Sequence, residues 1–159
     1  AHAAVSDLMS MTIANRISVI LVAAFLVVAP LTGMPLSQIG WHVAAMLIVL
    51  TICFTLFALG AMGGGDAKLM ASTALWFGMD MNLAVYFVVS SFLGGLLTLA
   101  ILRFRSSNVT VYTGKVDFLH RMANPKEKIP YGIALGTAGL LLYPDTPLMV
   151  WAVNQLTLG

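Results

Sequence analysis

The chain has 159 residues, 60% of them hydrophobic and only 9% charged, with a formal net charge of +2, and its mean hydropathy is +0.95. A soluble domain carries roughly a quarter charged residues, so the composition excludes a soluble globular enzyme, gives no reason to expect a nucleic-acid partner, and describes an integral membrane protein. The one cysteine, Cys53, lies inside an apolar run, which excludes an internal disulfide framework and a cysteine-rich zinc site.

A helix needs about 20 apolar residues to cross the hydrocarbon core. In chain order the apolar runs predict spans near Ile17–Leu31, Trp41–Ala61, Leu69–Met79, Leu83–Leu102 and Tyr131–Tyr143. The third is too short to cross unless its ends extend into Lys68 and Asn82. The tail Leu148–Leu158 reads as a last partial span or an interfacial segment. Lipid tolerates only helices and closed barrels, so the expected architecture is all-α: a polytopic bundle of about five to six transmembrane helices. Residues 1–159 are expected to form a single membrane domain, with 103–130 a cytoplasmic loop within it. In that loop "NVTVYT" reads as a short strand. The pairs Gly60/Gly64 and Gly132/Gly136, four residues apart, predict close helix contact.

Charge placement orients the bundle. If the spans alternate, all eight basic residues (Arg16, Lys68, Arg103, Arg105, Lys115, Arg121, Lys126 and Lys128) fall on one side, while the opposite turns carry only Asp80 and Asp145. The positive-inside rule makes the basic side cytoplasmic. Asp7 and Asp66 then share that face.

Asp66 stands in "ALGAMGGGDAKLM", directly after an uncharged run and three glycines. An ionisable residue beside a span is a functional candidate by default. Glycines at 63, 64 and 65 let another backbone approach its carboxylate, and Gly65 is expected to supply a positive φ that aims it. If Asp7 comes within a few ångströms, the two carboxylates cannot both ionise cheaply and hold one shared proton. One then takes a proton from water while its protonated partner polarises a scissile carbonyl.

These residues carry a resemblance. "GGGDAKL", Gly63 to Leu69, resembles the Gly-x-Gly-Asp-x-Lys-Leu signature of the type IV prepilin peptidases, a family of membrane aspartyl proteases. "SDLMSMTIANRIS", Ser6 to Ser18, is similar to that family's other catalytic segment, although Ala14 stands where proline is usual and the basic residues are replaced. "KIPYGIALGTAGLLL" resembles the late helix of the short, CpaA/TadV-type members that serve Flp pili. The resemblance implies Asp7 and Asp66 as the catalytic dyad, Gly63 and Gly65 as shapers of the motif, Lys68 as a flanking residue and Asn15 as a supporting residue of the first segment. It also implies a prepilin leader as substrate, with its hydrophobic helix in the bilayer of the bacterial inner membrane. The cysteine-containing insert of the long members is missing, so methyl transfer is not carried over. Family members enter the first aspartate from a membrane helix, so such a helix is expected before residue 1.

Other readings compete. Asp66 alone could cap or anchor a helix, and Asp7 could be an N-cap. Lys68 could be a snorkelling anchor. His42, beside Trp41, reads as interfacial, and His2 and His120 as solvated. No cluster has metal-ligand spacing, so neither a metal nor a cofactor is expected. The wider presenilin-like Gly-x-Gly-Asp proteases keep both aspartates within spans, typically one after tyrosine, whereas Asp7 follows Ser6. A proton or cation transporter subunit would show polar residues at mid-span, and these spans have almost none.

The charge asymmetry yields a topological test. In a Cys53→Ala background, cysteines introduced at Gly65 and Ser107 should be shielded from an impermeant thiol reagent added outside, while those at Ser37 and Thr146 should react. Labelling at Gly65 from outside would put Asp66 on the wrong face.

Overall fold

In a computed structural model the described residues, 15–106, 129–146, 148–150 and 153–154, are helices and short turns with no strand among them. Among the described residues five α-helices have both limits defined: α1, Asn15–Leu31; α2, Leu36–Ala58; α3, Gly64–Phe77; α4, Met81–Arg105; and α5, Tyr131–Leu142, which runs into a 3-10 turn at Tyr143–Asp145. The all-α membrane bundle is therefore present. Two helices, α2 and α4, are long and apolar enough to cross a bilayer, and α1 is a shorter apolar helix. The expected strand "NVTVYT", Asp7, His2 and His120 lie outside the described residues.

Helix limits differ from the apolar runs at points that matter. Pro35 adopts an extended conformation and caps α2, so this helix begins five residues before Trp41. Proline has no N–H to lose at a helix start. At the other end, α2 closes at Gly60, whose φ is +76°: the Gly60 amide donates to the Phe57 carbonyl and the Ala61 amide to that of Leu56. This is the Schellman pattern, which needs a left-handed residue and so favours glycine. Gly60 is thus a turn residue with open space around it, so of the pair Gly60/Gly64 only Gly64 lies close against another helix, at Phe57 of α2. Another close approach falls between α4 and α5, where a Cβ at Gly94 would meet the Tyr131 ring at 3.4 Å and Ala134 at 3.9 Å. Arg103 and Arg105 belong to the last turn of α4, so the loop expected from residue 103 starts beyond the helix.

A short helix, α3, is the central element. α3 touches all four other helices, and Ala67, Leu69, Ala71, Ser72, Ala74, Leu75 and Phe77 are buried along it. Four of those seven are alanine or serine, and small side chains are what let helices approach closely where lipid removes the hydrophobic drive for association. Ile17 of α1, Val49 and Cys53 of α2, Tyr86 of α4 and Leu135 of α5 complete the main core. A second cluster joins Phe25 and Ala29 of α1 to Leu75 and to Leu148, so the start of the tail is core rather than interfacial. Outward faces are apolar instead: Val19, Phe54, Val88 and Phe92 are more than half exposed, a surface suited to lipid and not to water.

The turn between α3 and α4 is capped by Asp80, whose Oδ1 accepts from the Met81 amide at 2.7 Å. Asn82 Nδ2 bonds both Asp80 Oδ2, at 2.9 Å, and the Asp145 carbonyl, at 3.3 Å. The two acidic residues of the expected outer side therefore sit together at one end of the bundle. Thr146 beside them is fully buried, which leaves exposed Ser37 as the position to label at that end. Asparagine caps as well as aspartate, whereas alanine costs about 1 kcal/mol. Thermal unfolding in detergent should accordingly leave Asp80→Asn near the parent and show Asp80→Ala destabilised by about that amount.

Candidate active site

The three glycines do their work in different ways. Gly63 is extended, with φ −74° and ψ 140°, and occupies the N-cap of α3; Gly64, Gly65 and Asp66 form the first turn. Asp66 is thus the third helical residue, where a carboxylate faces the unpaired amides of the helix start and the positive end of its dipole. Its side chain folds back over Gly63: a Cβ added there would lie 2.7 Å from Asp66 Oδ2. Any side chain at 63 would displace the carboxylate. A Cβ at Gly64 would instead meet the Phe57 ring of α2 at 3.2 Å. Gly65 is helical, and positive φ among the described glycines is confined to Gly33, Gly60 and Gly78. The expectation that Gly65 supplies a left-handed backbone is therefore corrected: at this motif the structure uses the missing Cβ of Gly63, in an ordinary backbone region.

Asp66 is partly exposed and faces a cavity of about 860 Å³ between the Gly60–Gly63 turn, α4 and α5. That volume lies within the roughly 300–1,000 Å³ of typical ligand pockets. The α4 wall is low, because Ser90, Ser91, Gly94, Gly95 and Thr98 all line it; these positions share a helix face by their spacing of three to four residues. Thr98 Oγ1 donates to the Gly94 carbonyl at 2.7 Å and lies 3.1 Å from the Tyr131 hydroxyl of α5. Arg105 reaches the same cavity from the end of α4. The result is a trench with a carboxylate at one wall, hydroxyls on another and little side-chain bulk between them. Such a trench suits an extended peptide. A second cavity, about 480 Å³ between α1, α3 and α5, is almost wholly apolar.

The supporting residues expected from the sequence are partly brought together. Lys68 Nζ donates to Asn15 Oδ1 at 3.0 Å, joining the start of α1 to the first turn of α3, two residues past Asp66. His42, expected at the interface, is buried at the opposite end of α3. Because α2 begins at Leu36, this residue lies well inside the helix instead of at its mouth. The wall residues Ser90, Ser91, Thr98 and Tyr131 were not singled out in the sequence. Their spacing marks a small polar face, but only the packing of α4 against α5 shows that it fronts Asp66. Among the described residues no group of three His, Cys, Asp or Glu side chains could hold a metal ion.

The geometry separates two glycines. Gly63→Ala forces Asp66 Oδ2 aside, and a displacement of about 1 Å costs roughly a hundredfold in rate where positioning carries the chemistry; with Asp66 catalytic, as the resemblance to the prepilin peptidases implies, leader-peptide cleavage should fall by about that factor, with normal expression. Gly64→Ala presses only on the half-exposed Phe57 ring, which can turn toward lipid, and should keep most of the activity. Equal cleavage by both variants in a processing assay would remove the contact at Gly63 from the argument.

A family model described as the type IV leader peptidase family matches residues 1–99. No curated protein and no solved structure matches the chain. The matched region takes in the Gly-x-Gly-Asp turn, all of α1 to α3 and most of α4, which builds the trench facing Asp66. A glycine-flanked aspartate at the head of a buried helix, in a bundle whose outer faces are apolar, is thus found inside the family match, and the chain belongs to the type IV leader peptidase family, a family of membrane proteases.

Proposed function

We propose that this protein is a prepilin leader peptidase: an aspartic endopeptidase that hydrolyses the leader of type IV or Flp-type prepilins, with Asp66 and Asp7 as its dyad. The observation that carries the reading is the Lys68–Asn15 bond. It joins the start of α1, eight residues along the chain from Asp7, to the Asp66 end of α3. Arg16 adjoins Asn15, and Arg105 lines the cavity that Asp66 faces, so the basic residues that argue for a cytoplasmic face gather at this end as well. Cleavage would then take place at the cytoplasmic boundary of a bacterial inner membrane that the chain crosses several times.

Chemistry follows from two carboxylates sharing one proton. The ionised member takes a proton from water as the oxygen attacks the scissile carbonyl, and the protonated member donates to the developing oxyanion. Collapse of the tetrahedral intermediate breaks the C–N bond and returns a proton to the leaving amine. Like charges a few ångströms apart raise one pKa and lower the other, which separates base from acid without a metal. Lys68 and Asn15 hold the two segments together, Gly63 gives the Asp66 carboxylate its place, and Gly65 leaves the first turn free of side-chain bulk. The trench formed by Gly94, Thr98 and Tyr131 receives the extended leader.

Co-expression with a Flp-type prepilin tests the dyad. Asp7→Asn and Asp66→Asn should each slow leader removal by about a thousandfold or more, since general acid–base groups acting as a unit fail together, while both remain folded in the membrane. Asp80→Asn and Asp145→Asn, at the other end, should process normally. Mature pilin at parental levels with either of the first two variants would sink the assignment.

A further inference from the structure

The end of α3 that carries no carboxylate is the more firmly tied. His42 of α2 is only 4% exposed, and its Nδ1 lies 2.8 Å from the Leu75 carbonyl in the last turn of α3. A carbonyl only accepts, so Nδ1 bears the hydrogen and donates. Burying an imidazole in an apolar bundle is costly unless it is hydrogen-bonded, and packing alone would be met by leucine. Two further contacts hold the ring, and Trp76 braces one of them. Phe25 of α1 stacks on it with centroids 5.3 Å apart. Trp76 of α3 meets Phe25 edge-on at 5.7 Å and donates Nε1–H to the Leu21 carbonyl of α1 at 3.1 Å. Gly78, with φ +70°, closes the helix so tightly against His42 that a Cβ there would lie 2.7 Å from Cε1.

The opposite end of α3 is built from glycines, which supply space rather than grip. From Asp66 to Leu75 the helix advances nine steps, about 13.5 Å of rigid rod. A bond to the Leu75 carbonyl resists sliding of that rod along its axis, and the edge-on packing of Trp76 on Phe25, the ring stacked on His42, resists its rotation. We propose that His42 is a positioning residue for the Asp66 carboxylate: by clamping the far end of α3 to α2 it sets the depth and azimuth at which Asp66 meets its trench. This inference rests on the reading of Asp66 as catalytic.

The test uses the full chain in membranes, with His42→Leu and His42→Asn. Asparagine offers an N–H donor close to where Nδ1 lies, whereas leucine fills the space and donates nothing. His42→Leu should lower kcat for prepilin cleavage about a hundredfold, the cost of a roughly 1 Å misplacement, with KM little changed, and His42→Asn should restore most of it. A second readout does not depend on catalysis: with Asp66→Cys in a Cys53→Ala background, the rate of reaction with a water-soluble maleimide should change severalfold on adding His42→Leu and return with His42→Asn. Full cleavage and an unchanged maleimide rate in His42→Leu would overturn the proposal. So would equal loss in both variants with the thiol at position 66 unmoved, because His42 would then act on stability alone. If the maleimide rate shifts and recovers while Asp66→Asn still cleaves prepilin, the clamp stands and the catalytic assignment of Asp66 falls.

Discussion

A fourteen-residue helix is about 21 Å long, and the hydrocarbon core it sits in is about 30 Å thick. α3 has that length, carries Asp66 in its first turn, and is surrounded by the other four helices. Much else follows from holding such a helix in place. Its neighbours must approach closely, hence Ala67, Ala71, Ser72 and Ala74 on its surface. The carbonyls of its buried last turn are closed off from water and must be satisfied by protein groups. Asp80 caps the helix that follows, and a side chain from α2 takes up a carbonyl of α3's last turn. The carboxylate needs an aqueous trench, and the small residues of α4 leave room for one.

The energetics of the bundle invert those of a soluble core. Large apolar side chains such as Phe54, Val88 and Phe92 point outward, where lipid solvates them as well as a protein interior would. Little hydrophobic free energy is therefore gained by helix association, and packing density and buried hydrogen bonds decide the arrangement. The few polar side chains inside carry correspondingly more information. Trp76, Ser72, Ser90 and His42 each spend a donor on a backbone carbonyl, but only those of Trp76 and His42 reach another helix. Both of these cross-helix bonds act at the end of α3 away from Asp66.

Most of the helical frame was legible in the sequence, because apolar runs interrupted by "LTGMPLSQIG", "GGGD" and "MDMN" report crossing segments directly. Asp66 was legible for the same reason: a charge after three glycines has no place in a plain turn. What spacing could not supply was partnership. Pro35 starts α2 before the tryptophan that reads as its interfacial anchor, which moves His42 from the rim to the interior. Gly63 and Gly65 look equivalent as letters, yet one lies under a carboxylate and the other continues a helical turn. Ser90, Gly94 and Thr98 share a face by periodicity alone, but that this face fronts Asp66 depends on how α4 packs with α5. The Lys68–Asn15 contact joins residues each noted for its own motif, and only the folded chain shows them paired.

Two polar ties act on α3, and their magnitudes decide which one holds the carboxylate. The Lys68–Asn15 bond joins exposed groups; water offers both partners nearly equal bonds, so its net contribution is small. The His42–Leu75 bond is buried. Removing its donor strands a carbonyl that water cannot reach, a penalty of roughly 1–3 kcal/mol. The stronger constraint therefore lies at the end of the helix farthest from Asp66. This division has a physical basis at the Asp66 end: a peptide backbone can approach the carboxylate only if the residues around it lack side chains, and residues without side chains cannot fix a helix by contact. Glycines at 63, 64 and 65 open the approach, and a short rigid helix transmits to Asp66 a position set at Leu75. The brevity of α3, too short by composition to be read as a secure span, is what makes that transmission stiff.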